Sequence, residues 1–265
     1  MSRSIAFDRA ASFYDATRGF PPGVESQVAA GLAEMAGLTG RERVLEIGVG
    51  TGRIALPLSR HARVYIGVDL SRPMLEVLRG KQRAEAVAVV EGDITHLPLA
   101  GQQFDLVVGV HILHLVSGWL RALAEVARVL RPRGALLLAH QTDDEDEPRQ
   151  IVTHFRALLA EAGAKPKSLG PRDDAVIAAA LAGLGFQQVE ARPAGVWQDE
   201  ESPRQVYDML VARTWSSLWA LPESRYREAL GALRGWLDER YPDLDQPLPI
   251  TRSVQAALFR RTDGL

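Results

Sequence analysis

The sequence predicts an α/β protein with a seven-stranded, mostly parallel sheet that has helices on both faces. Short apolar runs alternate along the chain with segments of helical periodicity, which is typical of a parallel sheet covered on both sides. The first run, 43–49, leads into three glycines at alternate positions, Gly48, Gly50 and Gly52. A strand followed by a glycine turn and a helix brings the backbone against a nucleotide-type ligand at the carboxyl edge of a sheet.

The N-terminal segment, 1–40, is predicted to be a helical lid. A short helix with one apolar face around Phe7 and Tyr14 comes first. A second helix over 23–37 follows Pro22, which suits a first turn, and Gly37 ends it.

A cofactor-binding core is predicted over 41–199. Apolar runs predict its strands at 43–49, 64–69, 86–90, 104–110, 135–139 and 186–192. The spacing of apolar side chains predicts the intervening helices at 51–60, 72–82, 120–130, 149–162 and 175–184. The segment Arg131-Pro132-Arg133-Gly134 is predicted to be a turn into the fifth strand.

A helical insert over 200–250 and a closing strand within 251–265 complete the chain, which is predicted to be a single domain over 1–265. The aromatic side chains of the insert form either a lid and pocket wall or a separate small core, and both interpretations stay open: Tyr207, Trp215, Trp219, Tyr226 and Trp236. Three arginines of the insert would attract an acidic substrate: Arg204, Arg213 and Arg225.

Composition excludes several classes of chemistry. The chain has no cysteine, so disulfides, thiolate nucleophiles and cysteine-ligated metals are excluded. Its net charge of −2 gives no bulk basic field, and no nucleic-acid partner is expected. No apolar run approaches the ~18 residues of a membrane span, and the first residues show no secretion signal, so a cytoplasmic protein is expected.

An acidic run, Asp143-Asp144-Glu145-Asp146-Glu147, precedes the helix at 149–162. A metal or partner site is one interpretation. Carboxylates facing the positive end of the helix dipole are the favoured one, since charge blocks are usually solvated. No metal site is predicted, because the histidines lack a third ligand at recognisable spacing.

Further motifs accompany the glycine loop. They are Glu46 before the loop, Asp69-Leu70-Ser71-Arg72-Pro73-Met74-Leu75, Asp93 after the third strand, Phe104-Asp105-Leu106-Val107-Val108, and the stretch from Glu125 to Gly134. In this order they resemble the class I S-adenosylmethionine-dependent methyltransferases, and within them the small-molecule branch that includes the ubiquinone/menaquinone-biosynthesis type. The resemblance implies a Rossmann-like fold. The Pro132-Arg133-Gly134 turn departs from the commoner Pro-Gly-Gly of that branch.

The resemblance also implies which residues hold S-adenosylmethionine, with S-adenosylhomocysteine as product. Glu46 would orient the glycine turn and the methionine amino group, Asp69 would meet the ribose, and Arg18 would pair with the carboxylate. The other implied contacts are Tyr14 facing the sulfonium, Met74 on the adenine face, Asp93 and Ile94 at the adenine edge, and Leu70, Val110 and His111 on the cofactor wall. Taken singly, each carboxylate could equally be a helix cap or a salt-bridge partner.

Methyl transfer is an in-line displacement that needs aligned reactants, excluded water and an unprotonated nucleophile. A general base is required only if the accepting O, N or C atom starts out protonated. His111 and His114 follow the fourth strand at the carboxyl edge and are the candidate bases. The alternative is that His114 packs on the sheet edge while His111 shapes the cofactor wall.

Two other functions stay open beside a methyltransferase that acts on a small molecule. One is an NAD-type oxidoreductase with Asp69 on the nicotinamide ribose, although glycines spaced by two rather than three residues argue against it. The other is a protein that binds S-adenosylmethionine without transferring its methyl group.

Overall fold

The computed structural model describes residues 4–143 and 146–262 of the 265-residue chain. Three parts of the sequence-based predictions lie outside the described residues. These are the first three residues of the lid, Asp144 and Glu145 of the acidic run, and the last three residues of the closing strand.

The chain divides into two compact units. Unit 1 comprises 1–141, 169–195 and 254–265, and unit 2 comprises 142–168 and 196–253. The predicted helical insert therefore falls in unit 2, together with a segment that precedes it by more than thirty residues.

Seven strands form one sheet in the order β3-β2-β1-β4-β5-β7-β6. Their bounds are β1 Arg43–Ile47, β2 Val64–Asp69, β3 Val87–Glu91, β4 Phe104–Val110, β5 Leu130–Asp143, β6 Phe186–Glu201 and β7 Leu248–Arg261. The pairings of β1 with β2 and β4, of β2 with β3 and of β4 with β5 are parallel. The predicted fold class is confirmed, and the strand order reverses between β1 and β4, where α/β sheets bind ligands.

Nine α-helices accompany the strands in the described residues. They are α1 Tyr14–Arg18, α2 Val24–Ala36, α3 Ala55–Ser59, α4 Arg72–Lys81, α5 Trp119–Val129, α6 Glu147–Glu161, α7 Asp174–Ala182, α8 Pro203–Val211 and α9 Glu223–Arg240. Short 3-10 helices cover Asp8–Ala10, Leu113–Leu115 and Ser216–Leu218. Within the described part of the chain no helix is long and apolar enough to cross a membrane.

Helix α3 is shorter than the predicted 51–60. The glycine loop extends through Gly52, whose φ of 80° is incompatible with a right-handed helix, so regular helix begins only at Ala55. Helix α4 is close to its prediction, because the side chain of Ser71 caps it by accepting from the Met74 amide.

The predicted turn at 131–134 is wrong, since these residues lie within β5. Phe104 pairs with Leu130 and Leu106 pairs with Ala135, so β5 advances five residues where β4 advances two. The surplus residues form a bulge in which Arg133 has a φ of 64°. Proline and glycine mark both bulges and turns, so the sequence pattern alone does not distinguish the two.

Each unit has its own hydrophobic core. In unit 1 the aliphatic side chains of β1, β4 and β5 pack against α5 and α7. In unit 2, α6, α8 and α9 bury a second cluster around Phe155, Tyr226 and Leu233. Apolar burial on this scale is the main favourable term in folding.

Candidate functional site

The glycine loop between β1 and α3 has a backbone conformation that residues other than glycine rarely adopt. Gly48, Gly50 and Gly52 have φ angles of 74°, 53° and 80°. A Cβ on Gly48 would lie 2.5 Å from Cδ1 of Ile112, and one on Gly50 would lie 3.3 Å from Cε of Met74. The glycines thus keep the loop open toward Met74, the residue predicted to contact the adenine ring.

Asp69, at the end of β2, clamps this loop to helix α4. One carboxylate oxygen accepts from the Gly50 amide at 2.8 Å, and the other accepts from the Ser71 amide at 2.9 Å. Burial raises the pKa of Asp69, and these hydrogen bonds oppose the rise. A carboxylate accepts more than two hydrogen bonds, so the clamp leaves capacity for ribose hydroxyls.

Glu46 is a buried carboxyl group beside the loop. It is 2% exposed, and one of its oxygens accepts from the Tyr65 hydroxyl at 2.6 Å. Burial raises the pKa of Glu46 to about 8, while the Tyr65 hydrogen bond and the charge of Arg53 work against the rise. The group is therefore mostly protonated at neutral pH, and a nearby cation would favour its ionised form.

Glu46 and part of the glycine loop line a small cavity of about 30 Å³. It is lined by Tyr14, Glu46, Gly48, Val49, Gly50, Thr51, Arg53, Ile54 and Val110. A volume of this size holds about one water molecule. The cavity contains five of the predicted cofactor-binding residues, and it also contains Thr51 and Arg53, which were not predicted.

The N-terminal segment lies directly on this loop. Asp15 accepts from the Thr51 hydroxyl at 2.6 Å and from Nζ of Lys81 at 2.8 Å. Asp8 accepts from the Ser71 hydroxyl at 2.6 Å. Two carboxylates of the segment thus bind the elements that form the cofactor site.

Arg18 and Tyr14 reach the site in different ways. The Arg18 carbonyl oxygen accepts from Nη1 of Arg53 at 2.6 Å, and Tyr14 lines the cavity. The Arg53 guanidinium also stacks on Phe20, 4.4 Å from the ring centroid.

The residues predicted for the adenine moiety lie next to α4 and after β3. Met74 and Ile94 are buried, whereas Leu70 is 40% exposed. Asp93 accepts from the Thr95 amide at 2.9 Å, which fixes the turn after β3. An apolar face beside a polar edge suits an adenine ring.

The two candidate bases have different surroundings. Nε2 of His111 accepts a hydrogen bond from the backbone amide of Gln141 at 2.6 Å, so the ring proton resides on Nδ1. His111 also has a φ of 51°, and its ring centroid lies 6.3 Å from those of His114 and His140. Burial is the largest cause lowering the pKa of both residues, and the pKa of His114 falls to about 4.

Several residues of this site escaped the sequence-based predictions. Asp8, Asp15, Thr51, Arg53 and Tyr65 all bond to predicted site residues or to their neighbours. Thr51 and Arg53 stand within or directly after the glycine loop, and this proximity is the signal that could have identified them. No comparable signal marks Tyr65, whose side chain reaches Glu46 only through the pairing of β2 with β1.

Within unit 2, four of the five insert aromatics belong to a separate hydrophobic core or pack against it. Tyr226 is 2% exposed and donates to the Leu210 carbonyl, while Tyr207, Trp215 and Trp236 pack around the cluster. The three insert arginines form ion pairs: Arg204 with Asp245, Arg213 with Glu223 and Arg225 with Glu228. Among the described residues no group of three His, Cys, Asp or Glu side chains is arranged to hold a metal.

A sequence profile of the family described as "Methyltransferase domain" matches residues 45–138. YcgJ of Bacillus subtilis, named an uncharacterized methyltransferase, is 29% identical over 173 residues, covering 64% of this chain and 67% of that protein. The fatty-acid O-methyltransferase of Mycolicibacterium smegmatis is 35% identical over 123 residues, covering 46% of this chain and 43% of that enzyme. The demethylmenaquinone methyltransferase of Tropheryma whipplei is 32% identical over 158 residues, covering 57% and 62%.

The solved structure of YcgJ shares the fold. It has a TM-score of 0.60 and 22% identity, covering 89% of this chain and 99% of that one. The chain spans less than two thirds of the length of the other two relatives. The matched segment contains the glycine loop, Asp69, Asp93 and both candidate histidines. Residues 45–138 of this chain therefore match a methyltransferase domain in sequence, and the chain shares its fold with YcgJ.

Proposed function

We propose that this protein transfers a methyl group from S-adenosylmethionine to a small-molecule acceptor by in-line displacement. The observation that best supports this is one cavity lined by Glu46 and by Gly48 and Gly50 of the glycine loop, which Asp69 holds through the Gly50 amide. When bound, S-adenosylmethionine supplies an electrophilic methyl group, and alignment alone contributes about 7–11 kcal/mol to such a reaction.

The residues present fit this methyl donor. Glu46 would hold the ammonium group of its methionine moiety, because a cation shifts a carboxyl with a pKa of about 8 to its ionised form. Asp69 would accept from the ribose, and Met74, Leu70, Asp93 and Ile94 would surround the adenine. Gly48, Gly50 and Gly52 would allow close backbone approach, while Val110 and His111 would form the wall beside the methyl group.

The N-terminal segment would exclude water from the reaction. Tyr14 already lines the cavity, and Asp15 holds its segment to Thr51 and Lys81. Arg18 would pair with the donor's carboxylate. Excluding water strengthens electrostatic interactions within the site and prevents hydrolysis of reactive groups.

A small-molecule acceptor is supported by two of the relatives, which are named for a fatty acid and for demethylmenaquinone. If the acceptor begins protonated, His114 is the better placed base, because Nε2 of His111 is already bonded to the Gln141 amide. His114→Ala would then lower turnover by about 10²–10⁴-fold. S-Adenosylhomocysteine binding would be unchanged.

Calorimetric titration with S-adenosylhomocysteine and with NAD tests the proposal. We expect the first to bind and the second not to bind. Binding of NAD alone would instead establish the oxidoreductase alternative. Binding of S-adenosylhomocysteine without methyl transfer from labelled S-adenosylmethionine to any member of an acceptor library would favour the non-catalytic alternative.

A further inference from the structure

Three histidine rings meet where β4 and β5 end, beside the wall of the predicted cofactor site. The ring of His111 lies 6.3 Å from the rings of both His114 and His140. All three side chains are half-buried. The left-handed backbone at His111, with a φ of 51°, and the Gln141 amide hold the central ring in place.

Contacts on two sides bring Arg53 and the segment that carries Arg172 to the same place. Arg53 donates to the Gln141 side-chain oxygen at 3.1 Å and to the Arg18 carbonyl, so Gln141 links Arg53 to His111. On the other side the amides of Leu169 and Gly170 donate to the His114 carbonyl oxygen at 3.0 and 3.2 Å. This fixes the segment that carries Arg172.

The approach of that segment is tight. A Cβ on Gly170 would clash with the Leu113 carbonyl oxygen, so glycine is required for this packing. Two backbone hydrogen bonds and a steric requirement therefore hold the backbone at 169–170 beside His114, two residues before Arg172. The charges of Arg172 and Arg18 lie close enough to His114 to lower its pKa.

We call this group the histidine–arginine cluster (Arg53, His111, His114, His140 and Arg172), and its side chains suit an anion. Arg53 and Arg18 are among the groups that lower the pKa of His111, and Arg172 and Arg18 are among those that lower the pKa of His114. His111 presents an Nδ1–H donor, because its Nε2 accepts from Gln141. Burial and neighbouring arginines lower the pKa of His111 and His114, which makes both of them weak bases. The cluster is therefore better suited to bind a negative group than to remove a proton.

We propose that the methyl acceptor is a carboxylic acid in its ionised form, held by the histidine–arginine cluster and methylated on a carboxylate oxygen. This inference rests on the proposed methyl transfer. The carboxylate oxygen supplies the electron pair of the new O–CH₃ bond, and the electron pair of the breaking S–CH₃ bond returns to sulfur. A sulfonium and a carboxylate become a thioether and an ester, and no proton is transferred, so no general base is needed.

The test measures binding as well as turnover. Protein saturated with S-adenosylhomocysteine is titrated calorimetrically with benzoate, octanoate and hexadecanoate, and with the amide and amine of the same three skeletons. We expect at least one carboxylate to bind about tenfold or more tightly than its matched amide and amine. Methyl transfer from labelled S-adenosylmethionine should give the methyl ester of that carboxylate.

Two variants locate the binding. Arg172→Gln and His114→Gln should each weaken carboxylate binding about fivefold or more, while the affinity for S-adenosylhomocysteine stays the same. Arg172→Lys should restore part of the loss, because it restores the charge. Arg227→Gln is the control, since Arg227 is exposed and pairs with Glu223 in unit 2.

If none of the three carboxylates binds to protein that binds S-adenosylhomocysteine normally, the carboxylate proposal is overturned and the proposed function stands. The same holds if an amide or amine binds better than its carboxylate, or if the cluster variants leave carboxylate binding unchanged. If S-adenosylhomocysteine itself does not bind, the proposed function fails first.

Discussion

At the scale of single residues, Glu46 is the group whose chemistry depends most on its surroundings. Its pKa of about 8 in the folded chain compares with an ordinary value of 4.5. Between these values the folded protein holds a proton that the unfolded chain releases, so stability falls as pH rises through this window. The buried carboxyl is therefore a stability cost at neutral pH, which is common for a group retained for binding.

Glu46→Gln should remove this pH dependence. Its free energy of unfolding should exceed that of the parent by on the order of 1–3 kcal/mol near pH 8, and the two should converge near pH 5. Denaturant unfolding at both pH values measures the difference. If the free energy of unfolding changed equally with pH in both proteins, the raised pKa would not belong to Glu46.

The same substitution should separate stability from binding. S-Adenosylhomocysteine carries an ammonium group, so its binding to the parent protein should release a proton at pH 7, and Glu46→Gln should abolish that release. Its affinity should also fall about tenfold or more, which corresponds to ~1.4 kcal/mol. Calorimetry in two buffers with different ionisation enthalpies counts the proton.

At the scale of elements, helix α2 packs so closely on β6 that one glycine is indispensable. A Cβ on Gly31 would clash with the Ala194 carbonyl oxygen, and one on Gly195 would lie 2.8 Å from Cγ2 of Val28. Both contacts lie within unit 1. The atom that a Cβ on Gly31 would meet is a backbone oxygen, and backbone cannot move away by a change of rotamer as a side chain can.

Gly31→Ala should destabilise the protein by about 1–3 kcal/mol or more, because the helix has to move away from β6. Gly235→Ala in α9 is the matched control, since nothing lies within 4 Å of its added Cβ. The control should gain up to about 1 kcal/mol from helix propensity. Thermal unfolding measures both, and a similar effect of the two variants would contradict the packing argument.

The N-terminal segment is held by apolar contacts of Ile5 and Phe7 with the core of unit 1 and by polar contacts of Asp8 and Asp15. The Lys81 and Asp15 side chains are 34% and 39% exposed, and an ion pair with this exposure contributes about 0–1 kcal/mol. We expect a contact this weak to open more readily than the core, and its opening would give a methyl donor access to the buried loop.

Asp15→Asn should therefore accelerate dissociation of S-adenosylhomocysteine several-fold while leaving global stability almost unchanged. Stopped-flow displacement with labelled ligand measures the rate. Asp245→Asn, which removes an exposed ion pair with Arg204 in unit 2, serves as the control. An unchanged dissociation rate in the Asp15 variant would exclude a gating role for this contact.

The elements with strong local signals could be predicted from the sequence, and the interactions between distant segments could not. Strands β2 and β4 have the predicted bounds, because their apolar runs end at polar residues. The bulge in β5 was missed because it depends on the register with β4. Asp8 and Asp15 contact residues more than thirty positions away in the sequence. No local sequence pattern predicts these contacts.

At the scale of the whole molecule, the described chain contains two hydrophobic cores in two units. Leu233 is fully buried in the core of unit 2. Units with separate cores can open separately, and each then has its own local stability.

Leu233→Ala should cost unit 2 about 2–5 kcal/mol through the cavity it leaves. Amide hydrogen exchange should quicken in α6, α8 and α9 while β1 and β4 keep their protection. Leu230→Ala, which truncates a partly buried leucine of the same helix, should have a smaller effect. Uniform loss of protection across both units would show that they unfold as one.

The bulge in β5 also contains a strained residue whose replacement should raise the stability of the protein. Arg133 occupies the left-handed region, with a φ of 64°. A residue with a Cβ is strained there by about 1–2 kcal/mol. Natural chains commonly retain such strain because selection requires only enough stability for function. Arg133→Gly should raise the melting temperature by a few degrees, an increment that could offset destabilising changes when the acceptor site is redesigned.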